Sequence, residues 1–331
     1  MIKLTIAIPN YNGGENLQRA IESCQKITLS SDEFEILIVD NCSTDNSIEI
    51  VKELENKFSN LKLVQNIENV GRIQNWNVCI DNAIGKFLIF LFSNDLINDT
   101  NNIAECIQLL EKNENISIGF SSLLKKDHER TYIKKSFSEK IIECQSKCFS
   151  KECLTRGLLP FGPIQSIIYR VDDIKKDQNK FRSDMPINAD EIFTYSEACK
   201  RELIMFNPNP QIIWDLTQSR FHGKMTAEDE FKEHSDTVKI ISNLNNIDVN
   251  YGLVSTYRVI NLLKFSTGNL KSEGKKFATK HLLSKMKESK SFFNTDKILF
   301  KTFMNKVRNS EKDADDILYS EIICQCIKES K

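Results

Sequence analysis

Glycine and proline are scarce in this chain of 331 residues, at 11 and 6. That excludes a collagen-like repeat and argues against extended disorder, so loops are few or tightly used. No long hydrophobic run is present: the longest, residues 87–92, is far short of the roughly 20 apolar residues a membrane span needs. No export signal opens the chain, because MIKLTIAIPN enters a strand-like alternation at once. Neither sign of charge is in excess. A net charge of −1 points to no particular partner, and no groove-reading motif suggests nucleic acid. Paired CxxC spacing is missing too. The ten cysteines are scattered, with Cys144, Cys148 and Cys153 near one another and Cys324 and Cys326 as CxC, so no structural zinc site is expected. Without an export signal they are expected to be reduced thiols in a cytoplasmic protein.

What is present is a core-forming fraction of 40 % apolar residues, enough for one large domain or two modest ones. The first hundred residues alternate between two periods. KLTIAIP (3–9), FEILIVD (34–40), LKLVQN (61–66) and KFLIFLFS (86–93) read as strands. Between them, Leu17, Ala20, Ile21, Cys24 and Ile27 fall at helical spacing. So do Ile48, Val51, Leu54 and Phe58, and then Ile73, Trp76, Ile80 and Ile84, with Gly85 as the expected helix stop. This rhythm predicts an α/β fold with a mostly parallel sheet and helices on both faces. Beyond residue 100, Ile103, Ile107 and Leu110 mark a helix and ISIGFSSLL (116–124) a strand. Residues 162–170 read as a strand, 189–200 as a helix and 211–223 as a strand, and everything from 226 onward as helical. Residues 125–153 carry no clear pattern, and there is no internal repeat.

Polar clusters follow three of the strands: Pro9-Asn10-Tyr11-Asn12, Asp40-Asn41 and Ser93-Asn94-Asp95. In open parallel sheets, ligands bind outside the carboxyl ends of the strands where strand order reverses. Three clusters at that edge predict a binding site. Asp40 can accept from a pyrimidine imide N–H or cap the following helix, and Tyr11 can lie against a ring.

TIAIPNYNGGENLQRAIES, EILIVDNCSTDNS and NVGRIQNWNVCIDNAIGKFLIFLFSND together resemble the nucleotide-sugar-binding half of family 2 glycosyltransferases with the GT-A fold. The strong match covers residues 3–97 and a weaker one 160–226. The resemblance implies a GT-A domain over 1–225, with a nucleotide-sugar half (1–97) and an acceptor half (98–225), followed by a basic helical region over 226–331. It implies transfer of a sugar from a nucleotide-sugar donor, UDP-linked, to a saccharide or lipid-linked saccharide, with inversion, in surface-polysaccharide assembly. The residues it places at the nucleotide are Pro9, Tyr11, Asn12, Asp40, Asn69, Arg72, Ser93 and Asn94, with Gly71, Asn75 and Asn77 in the same loop-helix segment. A divalent cation, Mn²⁺ or Mg²⁺, is implied at Asp95, with His222 facing it or the diphosphate and Arg220 beside it. The chain departs from the family at the tip, where Ser93 and Asn94 replace acids. A carboxylate general base is implied at Asp190 or Glu191, with Asp190 favoured because Ile192 and Phe193 turn inward beside it. Trp214 is either core or a platform for the acceptor sugar.

Two other classes compete. A nucleotidyltransferase needs a basic residue in the first phosphate loop, and PNYNGGEN has none before Arg19. A non-catalytic binder would keep the pocket and lose the chemistry, which the neutral Ser93 and Asn94 would suit. From Lys264 to Arg308 there are 12 Lys or Arg against three acids. That stretch reads as a solvated lysine face or as a peripheral contact with an anionic membrane surface.

Overall fold

The computed structural model describes residues 1–98, 100–134, 137–218, 227–249 and 322–327. The chain divides into two compact units, residues 1–146 with 161–222 and residues 147–160 with 223–331. Residues 147–160, expected within the acceptor half, thus cluster with the C-terminal unit.

In the first unit β1 (Leu4–Asn10), α1 (Gly14–Cys24), β2 (Phe34–Asp40), α2 (Ser47–Glu55), β3 (Leu61–Gln65), α3 (Arg72–Asn82) and β4 (Phe87–Phe90) alternate as the two periods predict. Every residue of β2 and of β4 is buried, as strands covered on both faces require. Leu17, Ala20, Ile21 and Cys24 form the buried side of α1. After β5 (Leu96–Ile97) and α4 (Thr100–Lys112) come β6 (Ile116–Ser121), β7 (Leu123–Lys126), β8 (Thr131–Lys134) and β9 (Ile142–Gln145). The chain then passes through α5 (Ser146–Thr155) to β10 (Ile167–Arg170), α6 (Val171–Asp177), α7 (Ala189–Ala198), β11 (Leu203–Asn207), β12 (Ile212–Asp215) and α8 (Ala227–Leu244).

Eight strands make one sheet in the order β3-β2-β1-β4-β10-β6-β11-β9. β1 pairs parallel with β2 and β4, and β10 is antiparallel to both β4 and β6. With β2–β3 and β6–β11 also parallel and β9–β11 antiparallel, four of the seven pairings are parallel, and strand order reverses beside β1, between β2 and β4. A second sheet has the order β5-β12-β7-β8. The expected strand 116–124 is really two: β6 ends at Ser121, and the chain crosses into the second sheet as β7. Gly85 is also not a helix stop. Ala83 follows α3 in extended conformation. Gly85 passes so close to β1 that a Cβ there would lie 2.5 Å from the Thr5 nitrogen, and its N–H donates to Thr5 Oγ1.

In the second unit, Cys148 on α5 is joined to Cys326 in a disulfide, with Cα atoms 5.7 Å apart. The expectation of thiols throughout fails for this pair, which a fold of 331 residues brings within bridging distance across 178 positions. No described helix is long and apolar enough to cross a membrane. His222, Arg220 and the basic stretch 264–308 lie outside the described residues.

Candidate active site

At the strand-order reversal lies a cavity of about 610 Å³, within the range of small-molecule sites. Its walls come from the β1 tip (Pro9, Asn10, Tyr11, Asn12), the β2 tip (Asn41), the start of α3 (Asn69, Arg72, Asn75, Trp76) and the turn after β4 (Phe92, Ser93, Asn94). Gln165, Asp190 and Trp214 complete it from the second half of the unit.

The tips are held by side-chain hydrogen bonds. Asp40 is buried and does not line the cavity. Its Oδ1 accepts from Asn10 Nδ2 at 2.7 Å and from Ser43 Oγ at 2.5 Å, and its Oδ2 from the Ser43 N–H at 2.9 Å. Asp40 does not cap the following helix, because the N-cap position of α2 is Asn46. Asn12 sits at φ 54°, a left-handed conformation that Asn tolerates, and its Oδ1 accepts from the Thr44 and Asp45 N–H groups. An amide chain then fixes the loop before α3. Asn41 Nδ2 donates to Asn69 Oδ1, and Asn66 Nδ2 to Asn41 Oδ1 and Asn75 Oδ1. Asn77 points elsewhere and bridges both backbone groups of Phe181. Tyr11 stays 48 % exposed at the cavity, and the Arg72 guanidinium lies over the Trp76 ring, 4.9 Å from its centroid. Arg72 is the only cationic side chain in the wall among the described residues.

The strand tip is arranged differently from the expectation. Ser93 and Asn94 face the cavity, whereas Asp95 is fully buried and absent from its wall. Asp95 Oδ2 accepts from Gln165 Nε2 at 2.6 Å, and Oδ1 from the Asp215 N–H at 3.0 Å and Asn94 Nδ2 at 3.1 Å. Burial pushes its carboxyl up to about 7 despite these bonds. Asp215 beside it is buried as well, which alone would raise it, but Thr217 and Lys126 hold it below the usual carboxylate range.

The two candidate bases are separated by their surroundings. Glu191 is buried, and its carboxylate accepts from the Phe161 N–H at 3.2 Å and the Gly162 N–H at 2.5 Å. It ties the 161–162 loop to α7. Asp190 is the only carboxylate in the cavity wall among the described residues. Gln165 was not singled out in the sequence. The signal was present as one amide inside the apolar stretch FGPIQSIIY. Its Oε1, like Asn10 Oδ1, is buried without a hydrogen-bond partner, and both residues line the cavity.

An open α/β sheet with a polar crevice at its switch point is the arrangement of nucleotide-binding proteins. Residues 5–177, more than half of the chain, match the Glycosyl transferase family 2 model, and the chain belongs to that family. It resembles the poly(ribitol-phosphate) beta-N-acetylglucosaminyltransferase TarS of Staphylococcus aureus, 36% identical over 99 residues. That match covers 30% of this chain and only 17% of that protein. The structure of S. aureus TarS 1–349 in complex with UDP-GlcNAc has the same fold, with a TM-score of 0.61 at 21% identity over 79% of this chain and 72% of that one. A mannosyltransferase from Pyrobaculum calidifontis, in complex with GDP-Man and Mn²⁺, gives a TM-score of 0.51 at 12% identity, covering 99% of this chain and 86% of that one.

Proposed function

We propose that this chain transfers a sugar from a nucleotide-sugar donor, UDP-linked, to a saccharide or lipid-linked saccharide acceptor. The observation that carries this reading is the cavity itself. It joins an exposed tyrosine and amide-rich strand tips on one side to the carboxylate of Asp190 on the other. Tyr11 would stack on the base, while Asn41 and Asn12 border the nucleoside and Arg72 offsets diphosphate charge. Asp190 would take the proton of the acceptor hydroxyl as that oxygen bonds to the anomeric carbon. The bond to the diphosphate then breaks on the opposite side, and configuration inverts.

The donor set also suits a hard divalent cation, since it consists of oxygen atoms only. Gln165 lines the cavity and Asp95 lies directly behind it, so Gln165 Oε1 and Asp95 would hold a cation only with the Gln165 Nε2–Asp95 Oδ2 bond opened, and there it would supply positive charge to the leaving diphosphate. Among the described residues no three His, Cys, Asp or Glu side chains converge. The cation would therefore share one protein carboxylate with neutral oxygens and the nucleotide's phosphates, as Mg²⁺ commonly does. Support for a place in surface-polysaccharide assembly, at the cytoplasmic face of a membrane, comes from the TarS relative's name and from the basic stretch 264–308.

The test is release of nucleoside diphosphate from UDP-, GDP- and dTDP-sugars, with and without Mn²⁺ or Mg²⁺, in wild type and Asp190→Asn. Turnover of one donor, lost in the variant, supports transfer. Tight nucleotide binding with no turnover in any acceptor extract supports the second reading, a binder without chemistry, which the neutral Ser93 and Asn94 favour.

A further inference from the structure

The second sheet carries a row of side chains that donor binding does not use. In register across three strands, Trp214 of β12 stands beside Lys125 of β7, and Lys125 beside Tyr132 of β8. Residues paired in this way project from the same face. The contacts agree: Lys125 Nζ lies 5.3 Å from the Trp214 ring centroid and 5.8 Å from that of Tyr132. The Arg130 guanidinium extends the row, 4.4 Å from the Tyr132 centroid. Aromatic and cationic groups thus alternate over two strand spacings, about 10 Å, and on to Arg130.

Two features set this row apart from ordinary surface charge. Its inner end is in the cavity wall, because Trp214 lines the same space as Asp190. Its cations also keep their charge available. Lys126, next along β7, is paired with Asp215 at 2.9 Å, whereas Lys125 and Arg130 make no ion pair among the described residues. Asp127, on the β7–β8 turn, is turned to the N–H groups of Glu129 and Arg130 at 2.9 Å and acts on Lys125 and Arg130 through space without an ion pair to either.

Resting on the glycosyltransferase reading above, we infer that Trp214, Lys125, Tyr132 and Arg130 form an acceptor platform. Its ligand is an anionic glycan, a chain whose sugar or polyol units alternate with phosphodiester or carboxylate groups. Ring faces accept the C–H faces of sugars and polyols, and the cations between them meet the charges. A neutral saccharide would use the rings and leave both cations without an ion-paired partner. The chain enters along the row and presents its terminal hydroxyl at Trp214, on the wall it shares with Asp190.

The full chain, saturated with UDP, is titrated with poly(ribitol phosphate), with oligogalacturonate and with neutral maltoheptaose, at low and high salt. Wild type binds at least one anionic chain roughly tenfold or more tighter than maltoheptaose, and the advantage fades as salt screens it. The double variant Lys125→Glu, Arg130→Glu loses that advantage and still binds UDP within about twofold of wild type, which reports an intact fold. Lys125→Gln, Arg130→Gln gives a smaller loss in the same direction. Unchanged affinity for anionic chains after charge reversal overturns the platform. So does equal binding of maltoheptaose, or charge-dependent binding to phosphatidylglycerol vesicles with none to either polymer. Failure of wild type to bind any nucleotide overturns the glycosyltransferase reading instead.

Discussion

Asp190 and Glu191 are chain neighbours of the same chemistry, and their surroundings divide their work. Glu191 holds two backbone N–H groups of a buried loop. In Glu191→Gln one of those N–H groups would face an amide NH₂, so a stability loss of about 1–3 kcal/mol is expected in denaturant melts. Asp190→Asn should leave the melt unchanged and lower transfer by about 10²–10⁴-fold, the usual worth of a general base. If the two variants exchange these effects, the assignment of the base is wrong. Asp95 presents a different balance. The folded state holds its carboxyl near 7, whereas an unfolded Asp titrates near about 3.9. Between those values the folded form binds a proton the unfolded form has lost, so this group's contribution to stability falls as pH rises through the window. Asp95→Asn removes that ionisation cost, and Gln165 can rotate its unpartnered Oε1 toward the new NH₂. Without metal, the variant should melt a few degrees higher than wild type at about pH 8, with the gap narrowing as pH falls and closing by about pH 4. With Mn²⁺ and UDP the order should reverse, because wild type alone gains from the cation. A variant less stable than wild type at the higher pH would show that the three hydrogen bonds to Asp95 outweigh its burial.

Elements differ in how far their sequence announces them. The three βα repeats and β4 were legible because apolar residues dominate β1, β2 and β4, β3 keeps three of its five positions apolar, and the helices have one apolar side. The short strands β7, β8 and β9 were not, since four residues of mixed charge, such as LLKK and TYIK, show no period. The crossing from β6 into β7 was hidden for a related reason: Ser121 and Ser122 at the boundary are buried like the strands they join, so no exposed polar loop marks it. At the site, the tips of β1, β2 and β4 could be read from polar clusters. That Asp95 turns inward could not, because its partners Gln165 and Asp215 lie 70 and 120 residues away. Gly85 was recognised but misread, and its real constraint is testable. A methyl group there meets the Thr5 nitrogen at 2.5 Å and the Leu4 carbonyl carbon at 2.7 Å, both backbone atoms that cannot rotate away. At Gly71 nothing lies within 4 Å, but φ is +82°. Gly85→Ala should therefore cost about 3 kcal/mol through overpacking, and Gly71→Ala only the roughly 1–2 kcal/mol of a left-handed backbone. Equal losses in chemical denaturation would mean that α3 and β1 can separate slightly, and that the close approach is not a constraint.

At the scale of the whole molecule the cysteines report on both units at once. Cys24, Cys79, Cys106 and Cys144 are buried in the first unit. Burial pushes the Cys106 thiol up to about 11 and that of Cys144 to about 12, and those of Cys24 and Cys79 higher still. Such thiols are neither ionised nor reachable in the folded state. Cys42, at the β2 tip, and Cys324, in the C-terminal helix, are exposed, one in each unit. Cys148 and Cys326 are bonded to one another. Alkylation of the native protein followed by peptide mass spectrometry should label Cys42 and Cys324 first and spare the five buried thiols, these four and Cys153. Cys148 and Cys326 should be labelled only after reduction. Bound UDP should leave the rate at Cys42 unchanged, since its side chain is not among those lining the cavity. The pattern separates three failures. Early labelling of Cys24 or Cys79 would mean the first unit opens, because both lie under its central sheet. Labelling of Cys148 before reduction would mean the disulfide does not form, and that all ten cysteines are thiols. Slow labelling at Cys42 only when UDP is present would place the nucleoside beyond Asn41, further along the β2 tip than the cavity wall implies.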